Sequence, residues 1–185
     1  MERRKGPDLH QLPPDLPVPV DDGAADHLTG LELPDLVLES SQGPIDMRAL
    51  DVLYVYPRTG LPGVPSLPGW DEIPGARGCT PQSCGFRDAH GELRALGKRV
   101  AGLSAQPLDD QLEFAERNGM PFPVIADPGL ELGAALGLPT FEIEGVVLYK
   151  RLALVAEDGR IAKVFYPVFP PDENAADVLE WLHRR

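Results

Sequence analysis

Cysteine is scarce in this chain. Cys79 and Cys84 are the only two among 185 residues, too few for a disulfide-stapled secreted scaffold or a four-cysteine metal site. Long apolar runs are also lacking. No segment nears the ~18 consecutive apolar residues of a membrane span, so no membrane partner is expected. The basic run Met1-Glu2-Arg3-Arg4-Lys5 is not followed by an apolar stretch, which argues against a secretory signal. Basic residues are outnumbered overall: 17 Lys and Arg against 29 Asp and Glu leave a net charge of −12. Such a balance disfavours nonspecific binding to nucleic acid or to anionic membranes. The cytoplasm is the expected compartment. Thiols are kept reduced there, and a close pair of them points to catalysis or metal binding more than to a permanent staple.

What is present begins with a real core's worth of hydrophobic residues, 43% of the chain, which excludes global disorder. Twenty-one Pro and nineteen Gly exclude a simple helical bundle and predict long, punctuated loops. The length suits one domain plus an extension. Residues 1–30, rich in Pro and Asp, read as an extended arm; the alternation of Leu16, Val18 and Val20 suggests that it lies against the domain. Residues 31–185 form the expected domain.

Within that domain, Asp51 to Tyr56 is β-branched and aromatic and reads as a buried central strand, after a short one at Leu36 to Leu38. A loop from Arg58 to Gly78 follows; its length of ~20 residues suggests function. A helix comes next, with Thr80 as its expected cap, Pro81 in its first turn and Gly97 at its end. Val100–Ser104, Leu108–Asn118, Phe122–Ala126 and Leu130–Leu136 read as strand, helix, strand and helix. Asp158-Gly159 marks a hairpin between Arg151–Ala156 and Arg160–Phe165, and a last helix begins at Asp172. The order β-loop-α-β-α-β-α-β-β-α predicts an α/β fold with a mixed central sheet flanked by helices, of which the thioredoxin-like fold is one.

The chemistry centres on Gly78-Cys79-Thr80-Pro81-Gln82-Ser83-Cys84-Gly85-Phe86-Arg87-Asp88. Cys79 stands where a loop feeds a helix, and the unpaired N–H groups and dipole there favour a thiolate. Cys84 lies five residues on. In an intact helix the two Cα atoms are roughly 8.7 Å apart, beyond the ~7 Å that a disulfide spans. A bond between them therefore requires the first turns to unwind. Three readings remain open on the residues alone. The cysteines could be small buried hydrophobes, half of a metal site with His90, or a redox pair.

That segment resembles the Gly-Cys-Thr-x-x-x-Cys-x-Phe-Arg-Asp motif of Q-type peroxiredoxins, the bacterioferritin comigratory proteins. Val55-Tyr56-Pro57, Gly102-Leu103-Ser104, Phe114-Ala115-Glu116 and Pro121 to Asp127 resemble further family segments in the right order. The resemblance runs from about Leu31 to the C-terminus and implies a thioredoxin-like fold. It also implies a thiol-dependent peroxidase acting on hydrogen peroxide and small organic hydroperoxides. Cys79 would be the peroxidatic cysteine and Cys84 the resolving one, joined in an intramolecular disulfide that a thioredoxin-type donor reduces. Arg151 would stabilise the thiolate and bind the peroxide; Arg77 is its rival. No metal or organic cofactor is implied. An internal resolving cysteine favours a monomer, with a dimer left open.

The chain departs from the family just before Cys79. Where the pattern places Pro and then Thr or Ser, this chain has Glu72 and Ala76. Pro57 and Thr59 are displaced upstream by an apparent insertion. Thr59 is the expected peroxide-orienting hydroxyl, with Thr80 as the alternative. Trp70 in the insertion either covers the site or anchors the loop. Two competing functions are a protein disulfide oxidoreductase, against which the four-residue gap argues, and a redox sensor on the same scaffold.

Overall fold

A computed structural model describes residues 7–185; the basic run at the start of the expected arm lies outside the described residues. The strands are β1 (Val37–Leu38), β2 (Ile45–Asp46), β3 (Val52–Val55), β4 (Val100–Ser104), β5 (Val124–Ala126), β6 (Thr140–Ile143), β7 (Val146–Tyr149), β8 (Leu152–Glu157) and β9 (Arg160–Phe165). The helices are α1 (Cys79–Ala95), α2 (Leu108–Asn118), α3 (Glu131–Leu136) and α4 (Asn174–His183).

The main sheet has the order β5-β4-β3-β8-β9. Strands β3, β4 and β5 run parallel, because α1 and α2 carry the chain back between them. β8 adds antiparallel to β3, and β9 to β8. The result is the mixed sheet that the element order predicts, in a thioredoxin-like fold.

Successive residues of a strand face opposite sides, and β3 divides its side chains accordingly. Val52 and Tyr54, with Tyr56 just beyond, pack with Phe86, Leu93, Phe114, Val178 and Leu182, beneath α1, α2 and α4. Leu53 and Val55 face the other way, with Leu103, Ile125, Leu132 and Tyr149, beneath α3. Burial on both faces explains why β3 reads as an apolar run without alternation. Tyr54 stacks on Phe86 with ring centroids 4.5 Å apart. Its ring occupies the space that a Cβ at Gly102 would need, 2.5 Å away. Glycine in β4 thus lets the aromatic layer lie close to the sheet.

Several expectations are corrected in detail. Thr80 does not cap α1; the helix starts one residue earlier, and Gly78 holds the cap position at φ 113° with no side-chain cap. The last helix starts at Asn174, after a short 3-10 turn over Pro171–Glu173. The hairpin β6–β7 was not expected from the sequence; Glu144 and Gly145, both at positive φ, turn it. The loop before Cys79 contains a 3-10 turn at Trp70–Glu72.

Residues 7–30 carry turns but neither helix nor strand. They do lie against the domain, yet not through the alternating valines: Val18 is 62% and Val20 82% exposed. The contacts come from Leu9 on Gly60, Leu12 on Gly78 and Pro19 on Gly75. Further on, Ala25 and Leu28 join the α3-side core.

Candidate active site

Cys79 begins α1 at the end of the long loop, and Arg151 immediately precedes β8. Both are buried, at 4% and 3% exposure. The sheet sets β8 beside β3, and Gly75 and Ala76, just before Cys79, accept hydrogen bonds from Arg151. Arg151 Nη2 lies 3.2 Å from Cys79 Sγ. The same nitrogen donates to the Ala76 carbonyl at 3.0 Å, and Nε donates to the Gly75 carbonyl at 3.3 Å. Nη1 donates to Gln82 Oε1. Gln82 Nε2 in turn donates to Asn174 Oδ1 at 3.0 Å.

A planar, permanently charged guanidinium is thus held by three oxygens and one sulfur. None of those four acceptors is a carboxylate. Of the four, only the Cys79 sulfur belongs to an ionisable group. The first-turn amides add to this: neither Cys79 N nor Thr80 N finds an acceptor among the described backbone hydrogen bonds, which leaves them to favour a negative sulfur or a bound oxygen. The site can therefore hold a nucleophilic sulfur beside a fixed donor for a developing oxyanion.

Cys84, half-buried and reduced like Cys79, lies further along the same helix. Burial pushes its thiol above the ordinary range, partly offset by the nearby Arg87. With both cysteines inside α1, the helix must open before their sulfurs can meet.

The other expected residues fall outside this cluster. Thr59 is buried with Gln106: its amide donates to Gln106 Oε1 at 2.9 Å, and Gln106 Nε2 donates to its hydroxyl at 3.0 Å. Gln106 belongs to a buried polar chain that continues through Ser104 and Gln111 to Tyr56. Arg77, the rival of Arg151, binds Asp71 and the Asp8 carbonyl. Trp70 packs with Ala76, Ile143 and Leu148 and near Phe141, so it anchors the loop. His90 sits edge-on to the Phe122 ring.

Sequence reasoning missed Gln82 and Asn174. Gln82 sits inside the cysteine motif, and its spacing of three residues from Cys79 puts it on the same helical side. Nothing local pointed to Asn174, 92 residues from Gln82.

The family model for redoxins matches residues 32–179. The chain belongs to the redoxin family. Within it the likeness is to the Q-type peroxiredoxins. Chloroplastic peroxiredoxin Q of Sedum lineare is 25% identical over 154 residues, covering 80% of this chain and 74% of that protein. The Arabidopsis thaliana protein of the same name is 25% identical over 158 residues, covering 83% of this chain and 66% of the relative. Among solved structures, peroxidoxin BcpB of Mycobacterium tuberculosis superposes with a TM-score of 0.68 at 25% identity, covering 85% of this chain and 97% of that one. Peroxiredoxin Q of Xanthomonas campestris gives 0.66 at 24% identity, over 84% and 96%.

Proposed function

We propose that the protein is a thiol-dependent peroxidase that reduces hydrogen peroxide and small organic hydroperoxides through Cys79. The observation that carries this reading is the buried Arg151 guanidinium on the Cys79 sulfur, at the start of α1, in a redoxin chain. The thiolate attacks the terminal peroxide oxygen. The S–O bond forms as the O–O bond breaks, and water or an alcohol leaves after taking a proton. Arg151 and the first-turn amides stabilise the charge that moves onto the leaving oxygen.

Cys79 is then a sulfenic acid. After the first turns of α1 unwind, the Cys84 thiolate attacks its sulfur, the S–S bond forms and hydroxide departs as water. A thioredoxin-type dithiol reduces the disulfide by exchange and is itself oxidised. Sulfur carries both electrons, so the proposed cycle uses no metal or organic cofactor. An internal resolving cysteine makes a monomer sufficient. No helix among the described residues is long and apolar enough to cross a membrane, and the cytoplasm, rich in dithiol reductants, is the compartment proposed.

Thr59 is proposed as the hydroxyl that orients the peroxide, for which it must exchange Gln106 for substrate; full peroxidase rate in Thr59→Val would remove that role. Residues 31–185 are proposed as the catalytic domain and the residues before them as its arm.

Stopped-flow consumption of hydrogen peroxide tests the reading, combined with intact mass after one equivalent. The wild type is expected to react far faster than a free thiol and to lose two hydrogens. Cys84→Ser is expected to gain one oxygen. A rate near that of free cysteine would reject the peroxidase, and oxygen accumulating on the wild type would reject the resolving role of Cys84.

A further inference from the structure

The arm crosses the face of the molecule where Arg151 lies, and five contacts fix its path. Arg77 Nη2 donates to the Asp8 carbonyl at 3.2 Å. Leu12 packs on Gly78, the residue before Cys79, and Pro19 on Gly75, whose carbonyl receives Arg151. Asp22 closes the path: Lys150 Nζ donates to it at 3.0 Å and the Tyr166 hydroxyl at 2.8 Å. Those two hydrogen bonds hold the Asp22 carboxyl down to about 2, so this end of the strap stays charged at neutral and mildly acid pH.

Between the arm and the domain is a pocket of about 350 Å³, at the lower end of the range for small-molecule sites. Val18 and Val20 form one wall, Ile73, Phe141 and Val168 line it from the domain, and Arg151 also borders it. The strongly exposed valines of the arm are thus placed where they give a mostly apolar hollow a side. Hydrogen peroxide has two heavy atoms and no apolar surface, so it gains nothing from such a space. A hydroperoxide with an alkyl or aryl tail gains burial for every carbon placed there.

We propose that this pocket takes the apolar tail of an organic hydroperoxide, and that Val18 and Val20 of the arm select for it, while Arg151, which borders the pocket and also touches the Cys79 sulfur, links the tail to the reacting end. This rests on the peroxidase reading and adds a determinant of preference that lies outside the redoxin match, in a segment with no helix or strand. Lys150 and Arg151 are the charged residues that border this pocket.

The test compares second-order rate constants for cumene hydroperoxide and hydrogen peroxide in the wild type, in Val18→Asp/Val20→Asp and in the control Val37→Asp, an exposed valine away from this pocket. The ratio of the two constants is expected to fall about ten-fold in the arm variant, since a few buried methylene groups are at stake, and to stay unchanged in the control. An unchanged ratio in the arm variant overturns the proposal.

A second measurement separates the pocket from the peroxidase reading. The non-reducible alcohol 2-phenyl-2-propanol is titrated into the full chain, and the methyl and aromatic NMR signals of Val18, Val20 and Phe141 are followed. Saturable shifts at these residues in the wild type, with the Phe141 shift weakened in the arm variant, support the pocket even if hydrogen peroxide is consumed no faster than by a free thiol. Shifts that are absent from them, or the same in the variant, overturn it even in an active peroxidase.

Discussion

Arg151 reaches Cys79 Sγ with the same nitrogen that it gives to the Ala76 carbonyl. The guanidinium is therefore fixed by the loop whose last residues deliver the cysteine. This ties the cation beside the sulfur to the shape of the loop.

Arg151→Lys is expected to lower the peroxide rate constant about 100-fold, because a point ammonium cannot reproduce the fork that serves four acceptors. Stopped-flow kinetics measure this. Gln82→Glu tests the next link in the chain. It keeps the shape and puts a carboxylate on the guanidinium, so the folded state is retained while the peroxide rate falls about ten-fold as the charge is drawn off the sulfur. A merely structural Gln82 would leave the rate unchanged in that variant.

The Cys84 thiol titrates above the ordinary range because it is half-buried. A raised pKa means less thiolate at neutral pH than an exposed cysteine has. In Cys79→Ser, where α1 has no disulfide to form, alkylation of Cys84 by iodoacetamide should accelerate with pH through a midpoint above the ~8.5 of a free thiol. In urea the midpoint should fall back toward that value. Equal midpoints in the two conditions would count against burial as the cause.

Gly78 sits at φ 113°, and a Cβ there would lie 2.3 Å from Pro171 Cγ and 3.0 Å from Leu12 Cδ2. Gly78→Ala combines backbone strain with that clash, and should destabilise the fold by about 1–3 kcal/mol. Urea denaturation reads the loss, and the peroxide rate should drop with it as the start of α1 shifts.

The parts of this fold that were legible in the sequence have local signals. Strand β3 is an apolar, β-branched run, α2 ends on Gly119 at positive φ as its sequence suggests, and Asp158-Gly159 turns β8 into β9. The cysteine motif also marked the sulfur that Arg151 reaches. What stayed hidden was set by tertiary packing. The β6–β7 hairpin turns on Glu144-Gly145, where glutamate is not a usual turn former. The start of α1 is fixed by Gly78, wedged between Pro171 and Leu12, and not by the nearby threonine. Thr59 met a partner, Gln106, that lies 47 residues away and shows no periodic signature.

One buried feature beside the cysteines bears on timing. Ser83 Oγ and Tyr54 Oη are enclosed side by side and have no hydrogen-bond partner outside their own pair. Ser83 directly precedes Cys84, within the turns that must unwind. Opening them lets the serine hydroxyl reach water. In the proposed cycle, once Cys79 carries an oxygen, two fates compete: capture by Cys84, or attack by a second peroxide that makes an irreversible sulfinic acid. How readily that turn opens would decide which comes first, and with it how long the protein lasts in bursts of oxidant.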